Sequence, residues 1–559
     1  MKKRWIAAGV LGALVVTGGV LRFAFPQETV AWAAKRGIPG MISNIRDPIA
    51  DYQDIAWQSG PATPPSGERP PNVVLIVVDD LGYNDLTWNG GGIANGTVPT
   101  PNIDALAREG VDFTQGYAGN ATCSPSRAAM MTGRYPTRFG FEFTGIPPSF
   151  AATVSHGVGN GPVPVVFRED LNHNVIPSQQ MGVPSSEITI AESLQARGYH
   201  TIHLGKWHLG ETDALAPHAQ GFDESLGFRA GGSMFLPEDD PNVVNAKLPW
   251  DPIDSFLWPN LPYAVQYNNG QRFEPKGHMT DYLTDNAIEA IRANKNRPFF
   301  MYLAYNAPHT PLQATREDYD ALGHISDPTI RVYAAMIRQL DRRIGDVMKE
   351  LKAQGLDENT LVIFTSDNGG AWYTGIKESN LPFRGWKASF FEGGIRVPFF
   401  VRWPGRIAAG TRAPAPASHV DMFATIAGVT GATMPSDRAM DGVNLLGGIV
   451  PGLPAQPRVA PLFWRSGDYR AVRLGDWKLQ IGRGSQQAWL YNLADDPTEQ
   501  RDLSAAEPER VAQMRAMIEA QNRGLPKPLW PGLVEAPVRV DVPLNAPWEA
   551  GQDYIIWTN

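Results

Sequence analysis

Cys123 opens the segment Cys-Ser-Pro-Ser-Arg at 123–127, and the chain has no other cysteine. Proline is favoured in the first turn of a helix and serine can cap one, so Cys123 is predicted to lie at or just before a helix N-terminus. The backbone N–H groups at such an end attract an anion, and Arg127, one turn further on, can clamp an oxyanion. The segment predicts either a nucleophile facing a tetrahedral anion or a buried structural cysteine beside a helix cap.

A second set of polar side chains follows four apolar runs of the chain. Its members are Asp79, Asp80, Lys206, His208, His309, Asp367 and Asn368. Carboxylate and amide oxygens are ligands that select Ca²⁺ or Mg²⁺ over Zn²⁺. One acidic pair after a strand is often only a solvated strand end or a helix cap, but the pair at 79–80 is matched by an Asp-Asn pair at 367–368, which favours a metal site. Lys206 and His208 are two residues apart, so in an extended segment both can reach one ligand.

The four apolar runs have the composition of strands buried on both faces of a sheet. They lie at 72–78, 201–204, 298–302 and 361–364. Helix-like stretches such as 188–197 and 330–354 precede them. Strands that alternate with helices predict an α/β fold with a large, doubly wound, mixed but mostly parallel sheet flanked by helices. Ligands of such sheets bind beyond the carboxyl ends of the strands, where the polar side chains stand.

The chain divides into four predicted parts. They are an export signal or membrane anchor at 1–26, a Pro-rich linker at 27–70, a catalytic domain at 71–455, and a small C-terminal α+β subdomain with a surface-packed tail at 456–559. In the first part, Lys2, Lys3 and Arg4 precede an apolar run at 5–21, which is longer than a signal-peptide core and shorter than the ~20 residues of a spanning helix. The protein is therefore expected to be exported: periplasmic, with or without an anchor in the inner membrane, or secreted.

Composition excludes several classes of protein. With 43% hydrophobic residues the chain can bury a large core, so it is not disordered throughout. A formal net charge of −8 with no long Lys/Arg run argues against a nucleic-acid-binding protein. A single cysteine excludes an intramolecular disulfide and argues against a cysteine-ligated zinc site. Composition does not indicate an oligomeric state.

The motifs together resemble those of type I sulfatases, the formylglycine-dependent, arylsulfatase-like enzymes of the alkaline-phosphatase-like superfamily. The resemblance rests on C-S-P-S-R followed by Thr132-Gly133-Arg134, VVDDLG around Asp79, GKWHLG at 205–210, APHTP around His309, TSDNGG around Asp367, and FRGWK ending at Lys387 with EGGIRVP after it. It covers about residues 71–497. It implies hydrolysis of a small-molecule sulfate monoester to an alcohol or phenol and inorganic sulfate.

The resemblance also implies how the site is built. A separate formylglycine-generating enzyme would convert Cys123 to formylglycine (3-oxoalanine), and the hydrated aldehyde would attack sulfur, which splits the reaction into two steps. Asp79, Asp80, Asp367 and Asn368, with the modified Cys123, would bind Ca²⁺, or Mg²⁺ in its place. Arg127 would belong to the catalytic set.

The remaining roles are implied in the same way. Lys206 would contact a sulfate oxygen, and His208 would act as the base that triggers sulfate release. His309 and Lys387 would lie at the leaving-group oxygen, one or both as general acid, with Lys387 favoured as an electrostatic clamp. Glu392 and Arg396 are expected to brace the site.

The sequence leaves two alternative functions, and it leaves two segments as candidates for the wall of the substrate pocket. A phosphatase or phosphonate monoester hydrolase of the same superfamily would use much the same site, and an inactive exported binding protein is the third reading. The aromatic-rich segment 233–269 is favoured over the insertion 141–183 as the wall of the substrate pocket, which points to a flat or apolar leaving group. A packing insertion is the alternative for 233–269.

Overall fold

A computed structural model of the chain describes residues 26–156, 162–173, 175–483 and 487–559. The apolar run at 5–21, on which the predicted export signal or anchor depends, lies outside these residues. Within the described ranges, no helix combines the length and the apolar character needed to cross a bilayer.

The strands of the described residues fall into one large sheet and several small ones. In chain order they are β1 (Asn72–Val78), β2 (Val111–Phe113), β3 (Gly116–Tyr117), β4 (Val166–Phe167), β5 (His200–Lys206), β6 (Glu224–Phe228), β7 (Val243–Ala246), β8 (Val265–Tyr267), β9 (Arg272–Phe273), β10 (Phe299–Ala304), β11 (Leu312–Thr315), β12 (Thr360–Ser366), β13 (Phe399–Arg402), β14 (Thr411–Ala413), β15 (Ala417–Ser418), β16 (Leu462–Ser466), β17 (Tyr469–Leu474), β18 (Trp477–Ile481), β19 (Ala488–Asn492), β20 (Val534–Arg539) and β21 (Tyr554–Thr558).

The large sheet has ten strands in the order β14-β2-β13-β12-β1-β10-β5-β6-β8-β9. Its centre, β12-β1-β10-β5-β6, is parallel, whereas β13, β8 and β9 pair antiparallel with their inner neighbours. All seven residues of β1 are buried, as a strand with both faces covered requires. The predicted α/β fold with a mixed, mostly parallel sheet is confirmed.

Helices cover both faces of this sheet. The α-helices of the described residues are Pro26–Ala34, Ile38–Arg46, Ile93–Gly96, Pro101–Arg108, Cys123–Thr132, Pro148–Ser155, Glu169–Asn172, Ile190–Ala196, Pro252–Asn260, Met279–Asn294, Arg316–Asp320, Pro328–Ala353, Glu392–Ile395, Asp421–Thr430 and Pro508–Asn522. On one face, alternate β1 side chains from Val74 pack with Met279–Asn294 and Pro328–Ala353. On the other, those from Val73 pack with Cys123–Thr132 and Asp421–Thr430. The two cores hold the strand ends in fixed register.

The C-terminal part forms the predicted small α+β unit. Strands β16 to β19 make a four-stranded antiparallel sheet, and the helix Pro508–Asn522 packs against its core. The tail differs from the expectation of a surface segment, because β20 lies between β4 and β21 in a three-stranded sheet with a buried core. The alternation of apolar residues in β20 and β21, such as Val534 and Val538, supplies the side chains for that core.

The segment predicted as a linker begins with two helices, Pro26–Ala34 and Ile38–Arg46. They rest on the helix Pro252–Asn260, where Asn260 Nδ2 donates to the carbonyl of Ala34 at 2.7 Å. After them the chain pairs once with the edge of the large sheet through Ala50 and Phe273, and it then runs without a helix or strand until β1.

Candidate active site

Cys123 is the first residue of the helix Cys123–Thr132, as its sequence context predicts. Its side chain is 3% exposed. The Sγ atom lies 3.5 Å from Asp79 Oδ1 and 3.8 Å from Asp80 Oδ1. Burial raises the pKa of the Cys123 thiol, so the unmodified thiol is a protonated donor toward the two carboxylates.

The carboxyl ends of β1 and β12 bring the two polar pairs together. These strands are parallel and in register, with Val78 opposite Ser366. Asp367 Oδ1 accepts the backbone N–H of Asp80 at 3.2 Å, and Asn368 Nδ2 donates to Asp80 Oδ1 at 2.7 Å. Asp80 has a φ of 61°, a left-handed conformation that is uncommon for a residue with a Cβ and is found at functional sites.

Three buried cations are paired with the three buried carboxylates. Lys206 Nζ lies 2.6 Å from Asp79 Oδ2, and Lys387 Nζ lies 2.8 Å from Asp80 Oδ2. The guanidinium of Arg127 is 2.8 Å from Asp367 Oδ2 and also donates to the backbone carbonyl of Lys206 at 3.1 Å. Arg127 therefore holds the end of β12 against the end of β5.

Charge and burial act differently on the carboxylates. Burial would raise the pKa of Asp79, but Lys206, His309 and Arg127 together hold it below its ordinary range. Burial raises the pKa of Asp367 to about 7, with repulsion from Asp79 adding to the effect and Arg127 opposing it. The carboxyl groups of Asp79, Asp80 and Asp367 and the basic side chains of Lys206, Lys387 and Arg127 largely offset one another's charge, so a bound divalent cation would leave net positive charge for an anionic substrate.

The donors beside Cys123 could hold a divalent cation, but they differ from the predicted set. One ligand atom from each of Asp79, Asp80, Cys123 and His309 lies within 4.8 Å of all the others. His309, predicted at the leaving group, belongs to this group, whereas the predicted ligand Asp367 does not and is paired with Arg127. Asn368 Oδ1 is buried and accepts no hydrogen bond, which is unusual for a buried amide oxygen. A cation with a preference for oxygen ligands would satisfy it.

His309 and Lys387 meet at a residue that the sequence did not indicate, Tyr373. The Tyr373 hydroxyl donates to Asp80 Oδ2 at 2.9 Å and accepts from Lys387 Nζ at 3.1 Å. His309 Nε2 lies 3.5 Å from the same hydroxyl. Tyr373 follows the TSDNGG motif by three residues, and its position in a buried turn gives no signal in the sequence alone.

His208 reaches the site by a turn, which corrects the expectation of an extended segment. Strand β5 ends at Lys206, and His208 has a φ of 58°. The backbone N–H of His208 donates to the carbonyl of Arg229 at 3.1 Å, which fixes the turn. Burial lowers the pKa of the imidazole, and the charges of Lys206 and Arg127 lower it further, so the ring is neutral.

Glu392 and Arg396, which are expected to brace the site, belong to a buried ion-pair cluster that includes the C-terminal sheet. Lys478 of β18 lies 2.8 Å from Glu392 Oε1 and 2.8 Å from Glu499 Oε1. Arg396 pairs with Glu392 at 2.7 Å, and the hydroxyl of Tyr117 donates to the same carboxylate. Burial would raise the pKa of Glu392, but Lys478, Arg396 and Arg473 lower it to about 2. The sequence alone assigned no role to Lys478 or Glu499.

Lys478→Met is expected to destabilise the fold by about 3–5 kcal/mol, because it leaves two buried carboxylates beside each other without their shared cation. Urea unfolding measures the change. Lys349→Met is the matched control, since Lys349 is a 74% exposed side chain in a surface ion pair, which is worth at most about 1 kcal/mol. An equal decrease in the free energy of unfolding in the two variants would show that the buried cluster does not hold the C-terminal sheet in place.

The segment 233–269 borders the site. Gly231, two residues before it, packs against the ring of His208, and Trp250 Nε1 donates to the carbonyl of Tyr373 at 2.9 Å. Strand β7 of this segment pairs with β11, which follows His309. The insertion 141–183 contributes the helix Pro148–Ser155, which packs on Pro252–Asn260.

Comparison with known proteins gives consistent matches. A family model described as Sulfatase matches residues 71–432. N-acetylgalactosamine-6-sulfatase of Mus musculus is 34% identical over 421 residues, which cover 74% of this chain and 72% of that protein. Steryl-sulfatase of Mus musculus is 32% identical, with 71% of this chain and 68% of that protein covered. A crystal structure of Ps i-CgsB in complex with k-i-k-neocarrahexaose is 31% identical, with a TM-score of 0.68 over 83% of this chain and 95% of that chain.

Proposed function

This chain belongs to the sulfatase family and is a hydrolase of sulfate esters, and from that premise we propose that it acts through a formylglycine made from Cys123 and a divalent cation. Asp79, Asp80, Asp367 and Asn368 would hold the cation, with Ca²⁺ favoured over Mg²⁺. A separate formylglycine-generating enzyme is the partner that this proposal requires.

One observation carries the proposal: Cys123 Sγ lies at a helix N-terminus, 3.5 Å from Asp79 Oδ1 and 3.8 Å from Asp80 Oδ1. A thiol that is buried, protonated and placed against two carboxylates is a poor nucleophile. The same position suits a hydrated aldehyde, because its two hydroxyl groups can contact the cation site and present an oxygen nucleophile to the substrate. The formylglycine would supply that nucleophile, and the cation would offset charge on the sulfate oxygens.

The side chains around Cys123 would have the remaining catalytic roles. Lys206 stands at the end of β5 with its charge directed to Asp79, where it can also contact a sulfate oxygen. His208 is neutral and would act as the base that takes a proton from a formylglycine hydroxyl and so triggers sulfate release. His309 and Lys387 share Tyr373 as a neighbour and are placed to stabilise or protonate the leaving-group oxygen, with Lys387 as the electrostatic clamp.

For the substrate we propose the sulfate ester of a flat or apolar alcohol or phenol. The similar proteins named above are called sulfatases of N-acetylgalactosamine and of sterols, so membership of the family leaves the leaving group open. The contact of Trp250 with Tyr373 supports the aromatic-rich segment 233–269 as one wall of the pocket.

Peptide mass spectrometry across residue 123, run beside hydrolysis of a chromogenic aryl sulfate and its phosphate analogue, tests the proposal. We expect formylglycine in protein from the native host and faster hydrolysis of the sulfate. An unmodified thiol in active protein from that host would overturn the formylglycine step. Faster hydrolysis of the phosphate would favour the phosphatase alternative.

Gly231→Ala is expected to lower kcat by about 100-fold with little change in stability. The added Cβ would lie 2.7 Å from Nε2 of His208, so the imidazole must move, and small misplacements of catalytic groups have effects of this size. Gly232→Ala is the matched control, because its Cβ would lie 3.3 Å from Cδ1 of Leu261, a flexible side chain. Steady-state kinetics and thermal unfolding measure both effects. Equal kcat values for the two variants would contradict the role given to His208.

A further inference from the structure

Exposed large apolar side chains are concentrated at the start of the described chain. The described residues expose nine such side chains, and five of them fall between residues 32 and 52. These five are Trp32, Met41, Ile42, Ile45 and Tyr52. Single exposed apolar residues are ordinary on soluble proteins, whereas a group of them marks an interaction surface.

The helix Ile38–Arg46 turns its apolar side away from the protein. Ile38, Met41, Ile42 and Ile45 recur at the spacing of one helical stripe. The opposite side carries Gly40, whose N–H donates to Asn260 Oδ1 at 3.1 Å and whose added Cβ would lie 2.8 Å from the Asn260 carbonyl oxygen. The helix therefore docks through glycine and backbone contacts, while Met41 is 54% and Ile45 69% exposed. In a helix that covers a hydrophobic core, by contrast, the apolar side chains would face the protein.

Basic and aromatic side chains flank the stripe. Lys35, Arg36 and Arg46 are exposed. The guanidinium of Arg36 lies over the ring of Trp32, 4.1 Å from its centroid. Tryptophan and basic residues beside an apolar helix face are typical of helices that lie in the interface of a lipid bilayer.

The sequence before these helices indicates what would cover the exposed apolar side chains. The apolar run at 5–21 follows Lys2, Lys3 and Arg4, and four residues separate its end from the start of the helix Pro26–Ala34. We propose that Trp32, Met41, Ile42 and Ile45 form a membrane-facing surface, which lies on the bilayer that the run at 5–21 anchors. With the run at 5–21 as the anchor, the helix that begins at Pro26 would lie beside the lipid headgroups.

The packing of the first helix supports an uncleaved anchor. The small-residue pattern Ala31-Trp32-Ala33, which resembles a signal-peptidase site, lies inside the helix Pro26–Ala34. Ala31 and Ala34 are buried, and this helix packs against Pro148–Ser155. Cleavage there would cut through a packed helix.

The membrane-facing surface lies close to the proposed substrate wall. Its two helices rest on Pro252–Asn260, which belongs to the segment 233–269. The segment proposed as the pocket wall thus also carries the two helices of the membrane-facing surface, an arrangement that suits an apolar ester held in or near the lipid.

Site-specific labelling of the full-length chain tests the proposal. Cys123 is the only cysteine and is buried, so a cysteine introduced at an exposed position can be labelled selectively. Met41→Cys and Ile45→Cys would each carry a fluorophore, in vesicles of phosphatidylethanolamine and phosphatidylglycerol that contain a nitroxide-labelled acyl chain. Val459→Cys is the matched control, because Val459 is 84% exposed and lies far along the chain in the loop before β16.

We expect the nitroxide lipid to quench the probes at 41 and 45 several-fold more than the probe at 459. Equal quenching at all three positions would overturn the proposal. A probe at 45 that is shielded from the lipid, and whose emission changes with protein concentration in detergent, would instead identify a second copy of the chain as the occupant. Shielding without dependence on concentration would indicate that the chain's own N-terminal residues cover the surface. Shielding by a second copy and shielding by the chain's own N-terminal residues would each overturn the proposal that this surface faces the membrane.

Discussion

Cys123→Ala is expected to reduce sulfate ester hydrolysis by on the order of a million-fold, the size of loss that follows removal of a nucleophile in covalent catalysis. The substitution removes one buried sulfur atom and leaves the charged pairs around it intact. Stability should therefore fall by only about 1 kcal/mol. Turnover of a chromogenic aryl sulfate and thermal unfolding, measured on the same sample, separate the two effects.

The wild-type chain made in a strain without the modifying enzyme is the matched control for this variant. It retains the thiol, so it should be folded and equally inactive if the aldehyde is the reacting group. Substantial hydrolysis by the thiol form would contradict the formylglycine step alone. Substantial hydrolysis by Cys123→Ala would contradict the assignment of the nucleophile to this position.

Asp367→Asn is expected to reduce both the bound divalent cation and the rate, the latter by about 100-fold or more. The amide keeps an oxygen that can accept from Arg127, which lies 2.8 Å from Asp367 Oδ2, but it removes the carboxylate that would carry negative charge when a cation is bound. Asp367→Ala would in addition leave the buried Arg127 guanidinium without its partner and destabilise the fold. The amide variant is therefore the sharper test.

Metal analysis of the purified protein, with and without chelator, measures this effect alongside the rate. Asp441→Asn is the matched control, because Asp441 also accepts two hydrogen bonds from an arginine, Arg138, and has no contact with Cys123 or the strand ends. Unchanged cation content in Asp367→Asn would show that the cation binds elsewhere. Loss of cation in both variants would point to a general effect on folding.

The sequence predicted the positions of those candidate site residues that follow directly after a buried strand. The continuous, mostly β-branched run of β1 is typical of a strand buried on both faces, which places Asp79 and Asp80 at the carboxyl-terminal edge of the sheet. The same reasoning applied to Asp367 after β12. Cys123 was predictable because proline and serine mark the start of a helix.

Contacts between distant segments were not predictable from the sequence. The sequence assigned no role to Tyr373, Lys478 or Glu499, and each is brought to its place by packing rather than by local pattern. His208 was placed on an extended segment, but a turn with positive φ directs it. The helix Ile38–Arg46 was hidden in a Pro-rich segment, because its glycine face gives no signal of packing.

The burial of Cys123 has a consequence for how active protein is made. If Cys123 is converted to formylglycine as proposed, the converting enzyme would have to act before folding, because the side chain is only 3% exposed in the folded chain, at the ends of β1 and β12. The central pairing of β1 with β12 joins residues nearly three hundred positions apart, and such non-local pairing is slow to form. Under the proposed mechanism, the time that the sheet takes to form limits the time available for converting Cys123. The specific activity of a preparation would then reflect the rate of conversion relative to the rate of folding.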